Sequence, residues 1–140
     1  MKVYLIGSLK GDKIRSVASE MRKHNLDVFD DWHAGGPDAD DIWQKYEQDR
    51  GRSYTEALSG HHAQMVFDFD YKHLSESDAV VLVLPCGKSG HMEFGWSIGK
   101  GKKGYILLES DDPPRWDVMY RFADGVTDSI DELIGWLHEG

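Results

Sequence analysis

The chain has 140 residues, 40% of them hydrophobic, and a formal net charge of −9 at pH 7. This length suits one domain with a hydrophobic core, and the hydrophobic content excludes a disordered chain. The negative charge argues against a nucleic-acid polymer as partner, because binding a phosphate backbone requires a basic surface.

Cysteine usage and hydropathy indicate the compartment. The single cysteine, Cys86, excludes an intrachain disulfide and is typical of a reducing compartment, so we expect a cytoplasmic protein. No apolar run approaches the roughly 20 residues of a membrane span, so no membrane partner is expected. The first residues lead directly into a strand, and no signal peptide is expected.

Strand and helix patterns alternate along the first half of the chain. Residues 3–6 and 25–29 are predicted strands, and apolar residues recur at helical spacing over 14–21. An Asp-rich loop follows at 30–41, and a helical stretch then starts at Ile42. Ser53 and Glu56 have the spacing of a capping box, which predicts a further helix with residues 57, 58, 61 and 65 on one face.

The second half continues the alternation. It contains a short helix at 70–77, a wholly apolar strand at 79–84, a helix at 89–100, a strand at 104–108, a short helix or turn at 116–122, an edge strand at Val126 and a final helix at 130–137. We therefore predict one α/β domain over residues 1–140. Its expected architecture is a Rossmann/flavodoxin-like open parallel sheet of order 2-1-3-4-5, with helices on both faces.

The turn between the apolar strand at 79–84 and the next helix is the most informative segment. Glu93 is predicted in the first turn of that helix, beyond the carboxyl end of a central strand, where open α/β sheets bind ligands. Gly87 and Gly90 allow the backbone to approach a ligand closely. Glu93 is either an acid that suits the helix dipole or a reactive carboxylate. The phosphate-binding patterns G-x-x-x-x-G-K-[ST] and G-x-G-x-x-G do not describe this turn.

A second carboxylate for catalysis is sought among Asp68, Asp70 and Asp78, which flank the predicted helix at 70–77. Two carboxylates around a sugar C1′ can cleave a glycosidic bond, one attacking and the other handling the proton of the leaving group. Helix capping is the favoured interpretation for Asp78, whereas capping and catalysis stay equally open for Asp70.

Other polar and aromatic residues carry weaker signals. The seven histidines lack the His-x-x-x-His zinc spacing, so no metal site is predicted. Asp38, Asp40 and Asp41 are expected in a solvated loop and a helix start. Trp32 either stacks on a planar ligand or packs in the protein.

The segments 2–8, 69–81 and 89–95 resemble the nucleoside 2-deoxyribosyltransferase superfamily, in family order over most of the chain. The resemblance implies that Glu93 is the nucleophile, that Tyr4 orients it and that Asp70 lies near the base. It also implies a homodimer or larger homo-oligomer in which the segment 116–119, with Asp117 and Met119, completes a neighbour's sugar pocket.

Two segments depart from the general family pattern. Residues 7–11 are more similar to the 2′-deoxynucleoside 5′-phosphate N-hydrolases of this superfamily, which implies that Ser8, Lys10 and Ser89 hold a 5′-phosphate. The insert at 30–52, with Trp32 and Trp43, matches neither branch.

The activity expected from this resemblance is cleavage of the N-glycosidic bond of 2′-deoxynucleosides or their 5′-monophosphates. A covalent deoxyribosyl–Glu93 intermediate would pass its sugar to another base or to water, and no cofactor would be required. The identity of the base and of the acceptor stays open. A non-catalytic nucleotide-binding module on the same fold is the alternative. A flavodoxin-like redox role is weaker, because the first loop has few hydroxyl groups for an FMN phosphate.

Overall fold

The structure is a computed structural model that describes residues 1–140. Its strands are β1 (Lys2–Ile6), β2 (Asp27–Phe29), β3 (Ala79–Val83), β4 (Lys103–Leu107) and β5 (Gly125–Thr127). Its helices are α1 (Lys13–Lys23), α2 (Ala39–Asp49), α3 (Tyr54–Leu58), α4 (His61–Glu76), α5 (Lys88–Gly99) and α6 (Ile130–Glu139), with short 3₁₀ helices at Asp31–Gly35 and Val118–Phe122. None of the helices is both long enough and apolar enough to cross a membrane.

The five strands form one parallel sheet in the order β2-β1-β3-β4-β5, which confirms the predicted fold and strand order. The chain winds outward in opposite directions from β1 and β3. Connections from these two strands therefore diverge and leave a crevice beyond their carboxyl ends, where ligands of such sheets bind.

Helices cover both faces of the sheet. Because side chains alternate along a strand, β1 sends Val3 and Leu5 to one face and Tyr4 and Ile6 to the other. The first face packs against α1 and α6, and the second packs against α4 and α5. Every residue of β3 is buried, as expected for a central strand covered on both sides. Tyr4 thus faces the helices that carry Asp70 and Glu93.

The region between the insert and β3 differs from the prediction. The capping box of Ser53 and Glu56 is confirmed, but the helix that it starts ends at Leu58. The chain turns at Ser59 and Gly60, and α4 then runs unbroken to Glu76. The predicted short helix at 70–77 is therefore the last part of α4. Sequence periodicity missed this because much of the apolar surface of α4 is exposed and gives no clear buried stripe.

The three aspartates of this region are accordingly placed differently. Asp68 and Asp70 lie within α4 rather than at a helix end. Asp78 is not a helix cap, because its Oδ2 accepts a hydrogen bond from the backbone N–H of Lys2 at 2.7 Å. That bond ties the start of β1 to the start of β3. Of the three, only Asp70 is shielded from solvent at a position that faces the sheet.

The insert is fixed internally by a buried ion cluster. The Glu47 side chain is 5% exposed and accepts hydrogen bonds from Arg50 Nη1 at 3.2 Å and Arg52 Nε at 2.6 Å. Arg52 also donates to the carbonyl of Glu56, so the cluster joins α2 to α3. The insert is attached to the sheet by Trp32, whose Nε1 donates to the carbonyl of Leu5 at 2.8 Å.

Candidate active site

Three groups predicted to be catalytic meet between the sheet and the helices α4 and α5. Tyr4 is the middle residue of β1 and only 1% exposed, Asp70 lies on α4, and Glu93 lies on α5. Tyr4 lies within β1, in agreement with the strand predicted over residues 3–6. One position is corrected. Glu93 lies in the second turn of α5, not the first, because the helix already begins at Lys88.

The electrostatics show that the three groups interact. Burial and then the charge of Asp70 raise the pKa of Glu93 to about 7, while hydrogen bonding to Tyr4 acts in the opposite direction. Burial raises the pKa of Asp70 to about 6. Burial and then the charges of Glu93 and Asp70 raise the pKa of the Tyr4 hydroxyl, which stays protonated and is available to donate to Glu93. Acids perturbed in this way are typical of functional sites.

Aromatic packing fixes the position of Tyr4. Its ring stacks on Phe29 with centroids 5.3 Å apart, and Phe29 stacks on His73 at 4.0 Å. His73 lies one turn after Asp70 on α4, so the two residues project from the same side of the helix. The stack therefore sets both the direction of the Tyr4 hydroxyl and the approach of α4 to the sheet.

The start of α5 depends on Gly90. A Cβ at this position would lie 2.1 Å from Cys86 Sγ and 2.9 Å from Ile6 Cγ2. Glycine is therefore needed for helix packing here, in addition to any role in ligand approach. Burial raises the pKa of the Cys86 thiol, and the charge of Glu93 raises it further, so Cys86 is a packing group rather than a thiolate nucleophile. Gly87, in contrast, faces open space.

The predicted phosphate residues lie at the carboxyl edge of β1 and β3. Ser8 Oγ accepts a hydrogen bond from the backbone N–H of Lys10 at 3.0 Å, which shapes the loop between β1 and α1. The Lys10 side chain is exposed, and Ser89 is exposed at the second position of α5. Backbone N–H groups at a helix start are suited to binding an anion.

Sequence reasoning missed Lys13 at the same edge. Its Nζ donates to the carbonyl of Leu84 at 2.6 Å and connects the start of α1 to the loop after β3. Lys13 is half-buried and forms no ion pair with a carboxylate. A clue in the sequence is its place at the first position of α1, directly after the loop that resembles a phosphate-binding segment.

The remaining predicted substrate residues, Trp32, Asp117 and Met119, are held by contacts of their own. The Trp32 indole is held by its bond to Leu5 and packs against both hydrophobic cores, so much of its ring serves packing. Asp117 Oδ1 accepts from the N–H of Met119 at 2.9 Å and caps the 3₁₀ helix Val118–Phe122. Trp116 is 84% exposed and Met119 is 59% exposed. The segment 116–119 thus presents its side chains outward.

An open groove of about 560 Å³ lies at the β1–β2 side of the carboxyl edge. It is bounded by the loop after β1 and by the first part of the insert. The lining residues are Leu9, Gly11, Asp12, Arg15, Asp30, Asp31, His33, Ala34, Gly36 and Pro37. No cluster of three or more His, Cys, Asp or Glu residues has an arrangement that would hold a metal ion.

Comparison with known proteins supports the fold. Neither a family model nor a curated protein sequence matches the chain. A solved 2-deoxyribosyltransferase from the psychrotolerant bacterium Bacillus psychrosaccharolyticus is similar over 96% of this chain and 90% of its own, with 13% identity and a TM-score of 0.66. The Clostridium botulinum CMP N-glycosidase BcmB is similar over 99% of both chains, with 15% identity and a TM-score of 0.56.

Proposed function

We propose that this chain, which has the fold of the nucleoside 2-deoxyribosyltransferase superfamily, cleaves the N-glycosidic bond of a nucleoside or nucleotide. The observation that carries the proposal is the cluster of Glu93, Asp70 and Tyr4, in which two half-buried carboxyl groups with raised pKa values lie beside a protonated hydroxyl. Substrates are 2′-deoxynucleosides or their 5′-monophosphates, because a missing 2′-hydroxyl makes positive charge at C1′ easier to develop.

In the first step, a carboxylate oxygen of Glu93 attacks C1′ and the bond from C1′ to the base nitrogen breaks. The bonding electrons leave with the base, which takes a proton from Asp70. Hydrogen bonding from Tyr4 holds Glu93 in its attacking orientation. The product of this step is a deoxyribosyl ester of Glu93, as expected when two carboxyl groups cooperate with retention of configuration.

In the second step, water or another base attacks C1′ and Glu93 departs as a carboxylate. Asp70 accepts the proton that the attacking group releases. The charge of Asp70 raises the pKa of Glu93, so an ionised Asp70 disfavours ionisation of Glu93. A sugar that develops positive charge at C1′ favours the ionised form of Glu93, which leaves the proton on Asp70 for the leaving base.

The placement of charge favours 5′-monophosphates over nucleosides. Lys10, Lys13, Ser8 and the N–H groups at the start of α5 all lie at one edge of the sheet. The structural neighbour BcmB is a CMP N-glycosidase, so a substrate panel for this protein should include CMP in addition to the deoxynucleotides.

We expect the protein to process deoxynucleotides better than the matching deoxynucleosides. Lys10→Ala should remove about 1–3 kcal/mol of this preference, because a charge-assisted contact to the phosphate is lost. Base release should be followed by chromatography over a panel of both substrate types, with and without an acceptor base. Lys23→Ala is the matched control, since Lys23 ends α1 at the opposite edge of the sheet.

Three outcomes of this panel separate the possibilities. Equal turnover of nucleoside and nucleotide by the parent protein would contradict the phosphate assignment. Product that appears only when acceptor base is present would identify a transferase rather than a hydrolase. Binding of nucleotides without release of any base would support the alternative, a non-catalytic nucleotide-binding module on the same fold.

The exposed apolar surface supports a homo-oligomer. Large hydrophobic side chains are exposed on α4, among them Met65 and Phe67, and around the 3₁₀ helix 118–122, among them Trp116 and Phe122. Extended exposed apolar patches are typical of interfaces. We expect light scattering to give a dimer or larger species at micromolar concentration. A monomer at high micromolar concentration would contradict the proposal that the segment 116–119 completes a neighbour's site.

A further inference from the structure

A hydrogen-bonded pair outside the catalytic cluster connects the start of α5 to the segment after β4. His91 Nδ1 lies 2.8 Å from the carbonyl oxygen of Gly87, and His91 Nε2 lies 2.9 Å from the hydroxyl of Tyr120. The two rings are nearly parallel, with centroids 5.8 Å apart and an interplanar angle of 21°. Neither residue contributes to the chemistry proposed above.

The contacts indicate the tautomer of the His91 ring. A carbonyl only accepts hydrogen bonds, so His91 Nδ1 carries the hydrogen and donates to Gly87. In the neutral ring Nε2 then has a free lone pair, and the Tyr120 hydroxyl donates to it. Burial, and then the charges of Asp117, Glu109 and Cys86, raise the pKa of Tyr120, so the phenol keeps the proton that it donates.

The carbonyl of Gly87 matters because of the peptide group to which it belongs. In a planar trans peptide the C=O and the following N–H point in opposite directions. The Gly87 carbonyl points along α5 and also accepts the backbone N–H of His91 at 3.3 Å. The N–H of Lys88, the first residue of α5, therefore points out of the helix start toward an approaching anion.

Hydrogen bonds at the Gly87 carbonyl hold this peptide. Gly87 itself faces open space, since a Cβ there would meet nothing within 4 Å. The bond to the backbone N–H of His91 is long, and the imidazole supplies the shorter contact. Tyr120 in turn holds the imidazole in the plane that this contact requires.

We propose that His91 and Tyr120 are positioning residues that hold the 87–88 peptide with its N–H aimed at a bound phosphate group. The proposal rests on the proposed function for the identity of the ligand. With Tyr120 holding His91 and His91 holding the peptide, the N–H of Lys88 is already oriented before an anion arrives. Binding therefore does not have to order the 87–88 peptide.

The test uses inorganic phosphate, which requires no chemistry from the protein. Phosphate is titrated into ¹⁵N-labelled protein while the Lys88 amide resonance and the His91 ring nitrogens are followed. In the parent protein, phosphate should shift the Lys88 amide, and the His91 ring should carry a hydrogen on Nδ1. Tyr120→Phe removes one hydroxyl and should weaken phosphate binding about three- to tenfold, as expected for one lost hydrogen bond.

Companion variants separate positioning from general stability. Tyr105→Phe makes the same change on the opposite face of the sheet, where Tyr105 stacks on Trp136, and should bind phosphate like the parent. His91→Phe should weaken binding at least as much as Tyr120→Phe. His91→Gln offers Tyr120 an acceptor and should recover part of the loss.

The proposal is overturned if Tyr120→Phe binds phosphate as tightly as Tyr105→Phe, or if the parent protein does not bind phosphate at the Lys88 amide. Parallel substrate assays distinguish this from a failure of the proposed function. A parent protein that binds phosphate at Lys88 in a Tyr120-dependent way, but releases no base from any nucleotide, would retain the positioning role and lose the enzymatic one.

Discussion

Glu93→Gln is expected to lower the rate of base release by about 10⁴-fold or more, the order of loss that follows removal of a group acting directly in covalent catalysis. The substitution keeps the shape of the side chain and its packing on α5 but removes the attacking charge. The protein should therefore stay folded, and substrate binding should change much less than turnover.

Mass spectrometry gives the decisive measurement. Parent protein quenched during turnover should carry a deoxyribosyl adduct on the peptide that contains Glu93, and Glu93→Gln should carry none. Glu132→Gln is the matched control, since Glu132 is exposed on α6 at the other face of the sheet. A Glu93→Gln protein with full activity would refute the mechanism and favour the binding-module alternative.

Asp70→Asn distinguishes the two carboxyl groups in the same assay. Loss of general-acid catalysis should cost about 10²–10⁴-fold. The loss should be largest for substrates whose leaving base needs a proton, and an adduct on Glu93 should still form with good leaving groups. If Asp70→Asn lost the adduct with every substrate while remaining folded, the assigned division of roles would be wrong.

Glu93→Gln is also expected to stabilise the protein at alkaline pH. Burial and the nearby Asp70 raise the pKa of Glu93 from 4.5 to about 7, so the folded state disfavours the ionised form. The folded protein therefore holds a proton that the unfolded chain releases between these pH values. The parent should lose stability as pH rises from 4.5 through 7, by up to about 3 kcal/mol at one pKa unit per about 1.4 kcal/mol.

Urea unfolding at several pH values measures this effect. Glu93→Gln should exceed the parent in free energy of unfolding at pH 8, and the difference should vanish near pH 4, where Glu93 is protonated in both states. Glu132→Gln should show no comparable pH-dependent gain. A Glu93→Gln protein that is less stable than the parent at pH 8 would mean that the Glu93 carboxylate is well compensated in the fold.

Sequence patterns predicted the sheet well because its strands are short apolar runs between clear turns. The segment 79–84 is buried on both faces, so each of its side chains is apolar and the strand is evident. Helix α4 shows the limit of the same reasoning. Its residues 65–69 are exposed although several are large and apolar, so local periodicity could not place its ends. The ends of such a helix are set by its contacts with the rest of the fold, and the residue pattern of the helix alone does not contain that information.

At the candidate site, residue types were predicted more easily than geometry. Position in the predicted fold indicates Glu93 and Asp70, the resemblance adds Tyr4, and the structure brings the three together. Lys13 and Tyr120 were not predicted to act here, because their relevant contacts, to Leu84 and His91, span 71 and 29 residues. Such long-range contacts follow from the way that the sheet aligns its loops, which no local spacing reveals.

The sheet ends at both edges in very short strands. β2 and β5 each pair with their neighbour over three residues, so either edge has only a few unpaired backbone groups with which a strand of another molecule could pair. Short edge strands are one of the means by which natural proteins avoid edge-to-edge pairing of sheets from different molecules. Continuous sheets across several copies, and fibrils built on them, are therefore disfavoured for this chain. The homo-oligomer proposed above would then form through side chains on the helices, whose fit can select one partner and one geometry.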